Sequence, residues 1–156
     1  MKVAVVMGSK SDWPVMQSAV ETLNQFEVEN ETKVLSAHRT PIELQSWVKG
    51  LRERGFTTVI AAAGGAAHLA GVVAAFTTLP VIGVPIKGSS FEGLDSLLSM
   101  VQMPPGIPVA TVAVNGAKNA ALLAIEIIAA FDNNLREKLD VFRKTQADNV
   151  LSATFD

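Results

Sequence analysis

The chain has 156 residues, 49% of them hydrophobic and only 18% charged, with a net charge of −2. Its pI is about 5.7 and its mean hydropathy is +0.31. There is no basic stripe to follow a nucleic-acid backbone. The absence of cysteine excludes disulfides, thiolate chemistry and Cys-based metal sites, and two histidines argue against a multi-histidine metal site.

The length predicts one domain, residues 1–156, burying roughly 70% of its unfolded surface. So few charges also suggest that surface is buried between subunits. The apolar start is cut short by Gly8-Ser9-Lys10-Ser11-Asp12, which argues against a signal peptide. No run reaches the about 18 apolar residues of a membrane span. A cytoplasmic protein without membrane or nucleic-acid partners is the expectation.

Residues 3–7 are continuously apolar, as in a strand covered on both faces. Residues 8–12 form the loop after it. A helix begins near Trp13-Pro14 and carries Met16, Ala19, Val20 and Leu23 on one face. Residues 32–36 read as the second strand. Val34 to Pro41 then reads as the end of a buried strand, a polar tip and a helix start. Thr40 suits the N-cap, Pro41 the first helical position, and Glu43 completes a capping box. His38 and Arg39 fall just before that helix.

The second helix turns Leu44, Trp47, Val48 and Leu51 inward, carries Lys49, Arg52 and Arg54 in its last turns, and stops at Gly55. A third strand over residues 57–63 ends at Gly64-Gly65, before a small-residue helix over 67–76. Pro80 precedes a fourth strand, 81–86, followed by a polar loop, 87–93, and a helix, 94–101. Pro104-Pro105-Gly106 breaks that helix before a fifth strand, 109–114, which turns at Asn115-Gly116. Helices over 117–131 and 134–150 complete the chain. Residues 120–130 are apolar nearly all round, which reads as burial in an assembly, with a central core helix as the alternative.

Apolar strands alternating with helices predict an α/β protein with a parallel, doubly wound sheet. Right-handed crossovers place the carboxyl ends of the strands on one edge, where ligands bind in open sheets. The polar stretches Gly8 to Asp12, Ser36 to Arg39, Gly64 to His68 and Lys87 to Ser90 all follow strand ends, and in this fold they converge on one crevice. Gly8 to Asp12 offers hydroxyls and backbone N–H groups at a helix start, a natural place for phosphate. It is neither a P-loop nor a dinucleotide fingerprint, and Ser11 or Asp12 could simply cap the helix.

Arg39 precedes a helix N-terminus, where the dipole disfavours a cation. A bound anion would resolve that conflict; a solvated surface arginine is the alternative. The His38 imidazole can give and take a proton near neutral pH, or serve structure alone. Gly64-Gly65-Ala66-Ala67-His68 allows close backbone approach to a ligand, or a tight turn. Lys87 reads as a solvated loop lysine. Paired carboxylates, Ser-His-Asp order and metal-ligand spacing are all missing. Ser9-Lys10-Ser11 could also cradle a flavin phosphate in a non-catalytic module. A phosphoacceptor receiver domain is disfavoured because the third strand ends in Ala61-Ala62-Ala63, without an acceptor Asp.

Three stretches in order, Met7-Gly8-Ser9-Lys10-Ser11-Asp12, Ser36-Ala37-His38-Arg39-Thr40-Pro41 and Gly64-Gly65-Ala66-Ala67-His68-Leu69, closely resemble the class I 5-(carboxyamino)imidazole ribonucleotide mutases of the AIR carboxylase family. Leu94 to Ser99, Val101 to Pro104 and Asn119 to Ala124 match too, so the resemblance spans essentially the whole chain. It implies a flavodoxin-like three-layer α/β/α sandwich with a parallel five-stranded sheet and C-terminal helices. It also implies a homo-octamer with sites near subunit boundaries, and no metal or organic cofactor.

The implied reaction, a late step of de novo purine synthesis, moves a carboxylate from the exocyclic nitrogen of an aminoimidazole ribonucleotide to the ring carbon. By the resemblance, His38 matches the general acid/base. Ser9, Asp12 and Arg39 match nucleotide-binding positions, with Ser11 and Ser36 nearby. His68 and the Gly64-Gly65 backbone match the pocket around the base and the migrating carboxylate. Ala62, Ala70 and Phe76 depart from the usual pattern, and the turn at residues 115–118 is shorter. The pair His38-Arg39, rather than His-Lys, favours the mutase over relatives that use free carbon dioxide.

Overall fold

Every residue of Lys2–Met7 (β1) after Lys2 is buried, because the strand is covered on both faces. The computed structural model describes residues 1–155. A 3-10 turn, Lys10–Asp12, leads from β1 into Trp13–Gln25 (α1). Glu29–Val34 (β2), Pro41–Lys49 (α2), Phe56–Gly64 (β3) and Leu69–Phe76 (α3) follow. Then come Val81–Ile86 (β4), Leu94–Val101 (α4), Ala110–Thr111 (β5), Ala117–Ala129 (α5) and Asn133–Leu151 (α6).

The five strands run parallel in the order β2-β1-β3-β4-β5. This is the doubly wound flavodoxin-like order, which reverses direction between β1 and β3. Alternation along β1 divides the core into two layers. Val3, Val5 and Met7 pack toward α1 and α5 on one face, while Ala4 and Val6 pack toward α2, α3 and the Met100 side chain of α4 on the other.

Three elements differ from the sequence expectation. β2 covers Glu29–Val34 rather than 32–36, and it is a half-exposed edge, with Val34 51% accessible. Its register on β1, from Lys2↔Glu29 to Met7↔Val34, decides its extent. Its charges suit an edge that must not pair with another chain. Lys2 binds Glu29 at 2.7 Å and Arg54 binds Glu31 at 2.9 Å.

β5 keeps only two residues in the ladder. The Pro85 carbonyl faces β5 and accepts the Asn115 N–H at 2.8 Å, but proline has no N–H to return, so the pairing ends there. α2 stops at Lys49 with Gly50 as its cap, and residues 50–55 form a separate turn closed by Gly55 at φ +83°. Arg54 is thereby freed to reach Glu31.

The expected capping box at Thr40 does not form. Thr40 Oγ1 instead accepts the Ser36 N–H at 2.9 Å and lies 3.2 Å from the Ser36 carbonyl, closing the loop before α2. α5 is a core helix within this chain. Ala121, Ala124 and Ile125 are fully buried among the sheet, α1 and α6, while Leu122, Leu123 and Ile127 stay partly exposed on its other side.

Candidate active site

The loops after β1, β2, β3 and β4 open on the carboxyl edge of the sheet and line one crevice of about 380 Å³. That size suits a small-molecule site. Ser9, Ser11 and Asp12 reach it from the first loop, Ser36, His38 and Arg39 from the second, and Gly64, Gly65 and His68 from the third. Every site residue expected from the sequence therefore lies on it.

The first loop is built by local hydrogen bonds. Ser9 caps the 3-10 turn: its Oγ accepts the Ser11 N–H at 3.2 Å, while Asp12 Oδ2 accepts the Ser9 N–H at 3.2 Å. This reciprocal pair is a capping box, carried by the Ser9-x-x-Asp12 spacing rather than by Thr40 and Glu43. The Ser9 and Ser11 hydroxyls lie 2.8 Å apart and leave lone pairs toward the crevice. Asp12 is 7% accessible, and burial raises its carboxyl pKa above the ordinary value. The Ser9 N–H, the Ser11 hydroxyl and the Arg39 charge pull it partly back.

Ser36 organises the second loop. Its Oγ accepts from the His38 N–H at 3.3 Å, the Arg39 N–H at 3.2 Å and Arg39 Nε at 3.3 Å. Arg39 Nη2 donates to the Gly8 carbonyl at 2.8 Å, so the guanidinium lies across the end of β1. A bound anion is thus not needed to explain a cation before α2. Two of its five N–H groups are engaged, and the other three remain for a ligand.

His38 Nε2 and His68 Nδ1 lie 2.9 Å apart, with the rings perpendicular and their centroids 5.0 Å apart. One nitrogen donates and the other accepts. Both rings are accessible from the crevice.

Glycine forms the floor. A Cβ on Gly64 would stand 3.3 Å from the Ile86 carbonyl, and Gly65 adopts φ +63°, which disfavours other residues. The fourth loop, residues 87–90, was expected to converge on the crevice, and its first two residues line it. Lys87, expected to be solvated, lines the crevice and pairs with Glu92. Its side chain stays 51% accessible, so it is solvated and at the crevice together. Among the described residues no three His, Asp or Glu side chains gather as a metal-ligand set, and no helix is long and apolar enough to cross a membrane.

Fold and crevice together define a flavodoxin-like α/β protein with an open crevice on the carboxyl edge of its sheet. Residues 2–149 match the AIR carboxylase family model, and the chain belongs to that family. It is 59% identical to the N5-carboxyaminoimidazole ribonucleotide mutase of Pyrococcus abyssi, over 92% of this chain and 82% of that protein. It is 54% identical to the mutase of Vibrio vulnificus, over 97% and 96% of the two chains. The crystal structure of Treponema denticola PurE superposes with a TM-score of 0.86 at 29% identity, covering 96% of this chain and 93% of that one.

Proposed function

We infer that the protein is an N5-carboxyaminoimidazole ribonucleotide mutase, an isomerase of purine biosynthesis. It moves a carboxylate from the exocyclic nitrogen to the ring carbon of its ribonucleotide. The observation that carries this reading is the His38–His68 pair, 2.9 Å apart, between a serine- and arginine-lined anion end and a glycine floor.

In this reading, Ser9, Ser11, Ser36 and Arg39 hold the phosphoribosyl moiety, with Arg39 offering its free guanidinium N–H groups to phosphate. Asp12 accepts from the ribose hydroxyls. His38 delivers a proton to the exocyclic nitrogen as the carbamate C–N bond breaks, its electron pair returning to nitrogen and carbon dioxide leaving. The ring carbon then attacks the trapped gas, and His38 takes the ring proton, which restores aromaticity. One proton is given and one taken, so a single imidazole closes the cycle. The pocket must keep carbon dioxide from escaping, a task of positioning and water exclusion that the close Gly64 and Gly65 backbone serves.

The finer parts of the proposal are a homo-octamer working in the cytoplasm. Support for assembly comes from α4, where Leu94, Leu98 and Val101 form an outward apolar row, each 49–55% accessible. Sizing in solution tests it; a monomer at working concentration would refute it.

Direct carboxylation of aminoimidazole ribonucleotide and flavin binding are the competing readings. Turnover is measured with the carbamate nucleotide in bicarbonate-free buffer, and with aminoimidazole ribonucleotide plus bicarbonate. The mutase reading expects rapid turnover of the first and little of the second. The opposite preference, or a yellow protein with flavin absorbance, would overturn it.

A further inference from the structure

Two cationic side chains line the crevice, and they stand on different sides of it. Arg39 follows β2 and is tied to Gly8 at the end of β1. Lys87 follows β4, which is three places from β2 in the sheet. At about 4.8 Å per strand, the two strand ends are roughly 14 Å apart. A ribonucleotide bearing both a phosphate and a carboxylate is anionic at two separated points. Arg39 and the serine hydroxyls gather at one end, and only Lys87 brings a positive charge to the other.

The loop carrying Lys87 is clamped at its ends and free at its tip. The Lys87 N–H donates to Asn115 Oδ1 at 2.9 Å, and Asn115 itself adopts φ +58°. The buried Ser96 hydroxyl lies 2.9 Å from both the Ile86 and the Gly93 carbonyls, which joins the two ends. Between them Ser89, Ser90, Phe91 and Glu92 are exposed. The Glu92 carboxylate holds the Lys87 ammonium, but that pair is exposed, its side chains 51% and 72% accessible. Exposed pairs contribute about 0–1 kcal/mol. A carboxylate inside the crevice, partly shielded from water, competes for the ammonium on better terms. Lys87 also adjoins the glycine floor, since the preceding Ile86 pairs with Gly64 in the sheet.

We propose that Lys87 holds the migrating carboxylate of the substrate, and that Glu92 takes the ammonium back when that carboxylate departs as neutral carbon dioxide. This rests on the mutase reading. The ammonium stabilises the carbamate and the product carboxylate, but not the uncharged gas between them. It therefore strengthens binding of both end states and deepens the well from which the barrier is climbed, by whatever part of the lost contact Glu92 does not restore, so its removal raises KM and leaves kcat unchanged or raised. Glu92 offsets the loss of partner while the charge is gone.

The test compares the native chain with Lys87→Gln, Lys87→Arg and Glu92→Gln. Calorimetry reads the binding of aminoimidazole ribonucleotide and of its 4-carboxy derivative, and steady-state assays read turnover of the carbamate. Losing a charged hydrogen bond weakens binding by about tenfold or more. Lys87→Gln is expected to show that loss for the carboxylated nucleotide and in KM, with kcat unchanged or raised and aminoimidazole ribonucleotide bound as before. Lys87→Arg restores most of the loss, and Glu92→Gln tightens the carboxylated nucleotide. Equal weakening of both nucleotides, no weakening of either, or a fall in kcat alone would overturn the assignment. If the native chain turns over the carbamate while Lys87→Gln matches it throughout, this assignment alone fails. A native chain that does not turn the carbamate over removes the mutase reading and this assignment with it.

Discussion

Gly93→Ala is the substitution whose cost the structure sets out most directly. Gly93 sits at φ +92°, and a Cβ there would meet Val114 Cγ1 at 2.5 Å, Val114 Cγ2 at 3.2 Å and the Lys87 Cα at 3.3 Å. Adopting positive φ costs a non-glycine residue about 1–2 kcal/mol. Val114 is β-branched and half-buried, so it cannot simply rotate away, and forcing the contact adds about 1–3 kcal/mol. Restricting the unfolded chain returns about 0.4–1 kcal/mol. The net loss is about 2–4 kcal/mol, which lowers Tm by roughly 5–15 °C in a chain of this size. Gly55→Ala is the internal control, because Gly55 has φ +83° and nothing within 4 Å of its Cβ position. It pays only the conformational strain, about 1 kcal/mol. Thermal unfolding followed by circular dichroism, at one fixed protein concentration because assembly shifts Tm, compares the two. Equal shifts for both variants would refute the steric argument.

Two carboxylates should answer pH in opposite senses. Glu31 is held below the ordinary glutamate value, first by the Trp47 Nε1–H and then by Arg54. Its stabilisation is present above pH 4.5 and lost as pH falls through the lowered folded value. Glu31→Gln should cost about 0.5 kcal/mol at neutral pH, since the group is partly exposed, and little in acid; urea melts at both pH values check this. Asp12 is raised, so its folded form favours the proton and its charge weakens the fold as pH climbs past the ordinary carboxylate range. Asp12→Asn keeps an acceptor for the Ser9 N–H, and should match or exceed native stability at neutral pH while binding the ribonucleotide more weakly. Arg39→Lys loses the forked reach to Gly8 and Ser36. It should raise KM by roughly tenfold to a hundredfold, and a KM within twofold of native would count against Arg39 as the phosphate ligand.

Much of this architecture could be read from residue order alone. The buried strands β1, β3 and β4 announce themselves as continuous apolar runs, and β4 falls on its expected residues, 81–86. The second strand was expected at residues 32–36 and its start at Glu29 was missed, because edge pairing is settled by register against β1 while its own residues are polar. β5 was overestimated because nothing in Val109 to Val114 reveals that Pro85, on the neighbouring strand, ends the ladder. The capping box at Ser9 and Asp12 had the right spacing but lay in a loop read for its hydroxyls. The one expected at Thr40 lost its hydroxyl to the Ser36 backbone. The nine expected site residues share one crevice because each follows a strand of a parallel sheet, a rule of topology. Lys87 obeys the same rule, and its loop was placed at the crevice, but a lone lysine in a polar loop carries no pattern that would assign it a ligand.

The central claim is that one imidazole moves both protons of the rearrangement. The direct measurement is turnover of the carbamate ribonucleotide by His38→Asn, with calorimetric binding of the 4-carboxy product as its companion. Product affinity is expected within a few-fold of native, with turnover reduced by about 10²–10⁴-fold. Near-native turnover in that variant would contradict it.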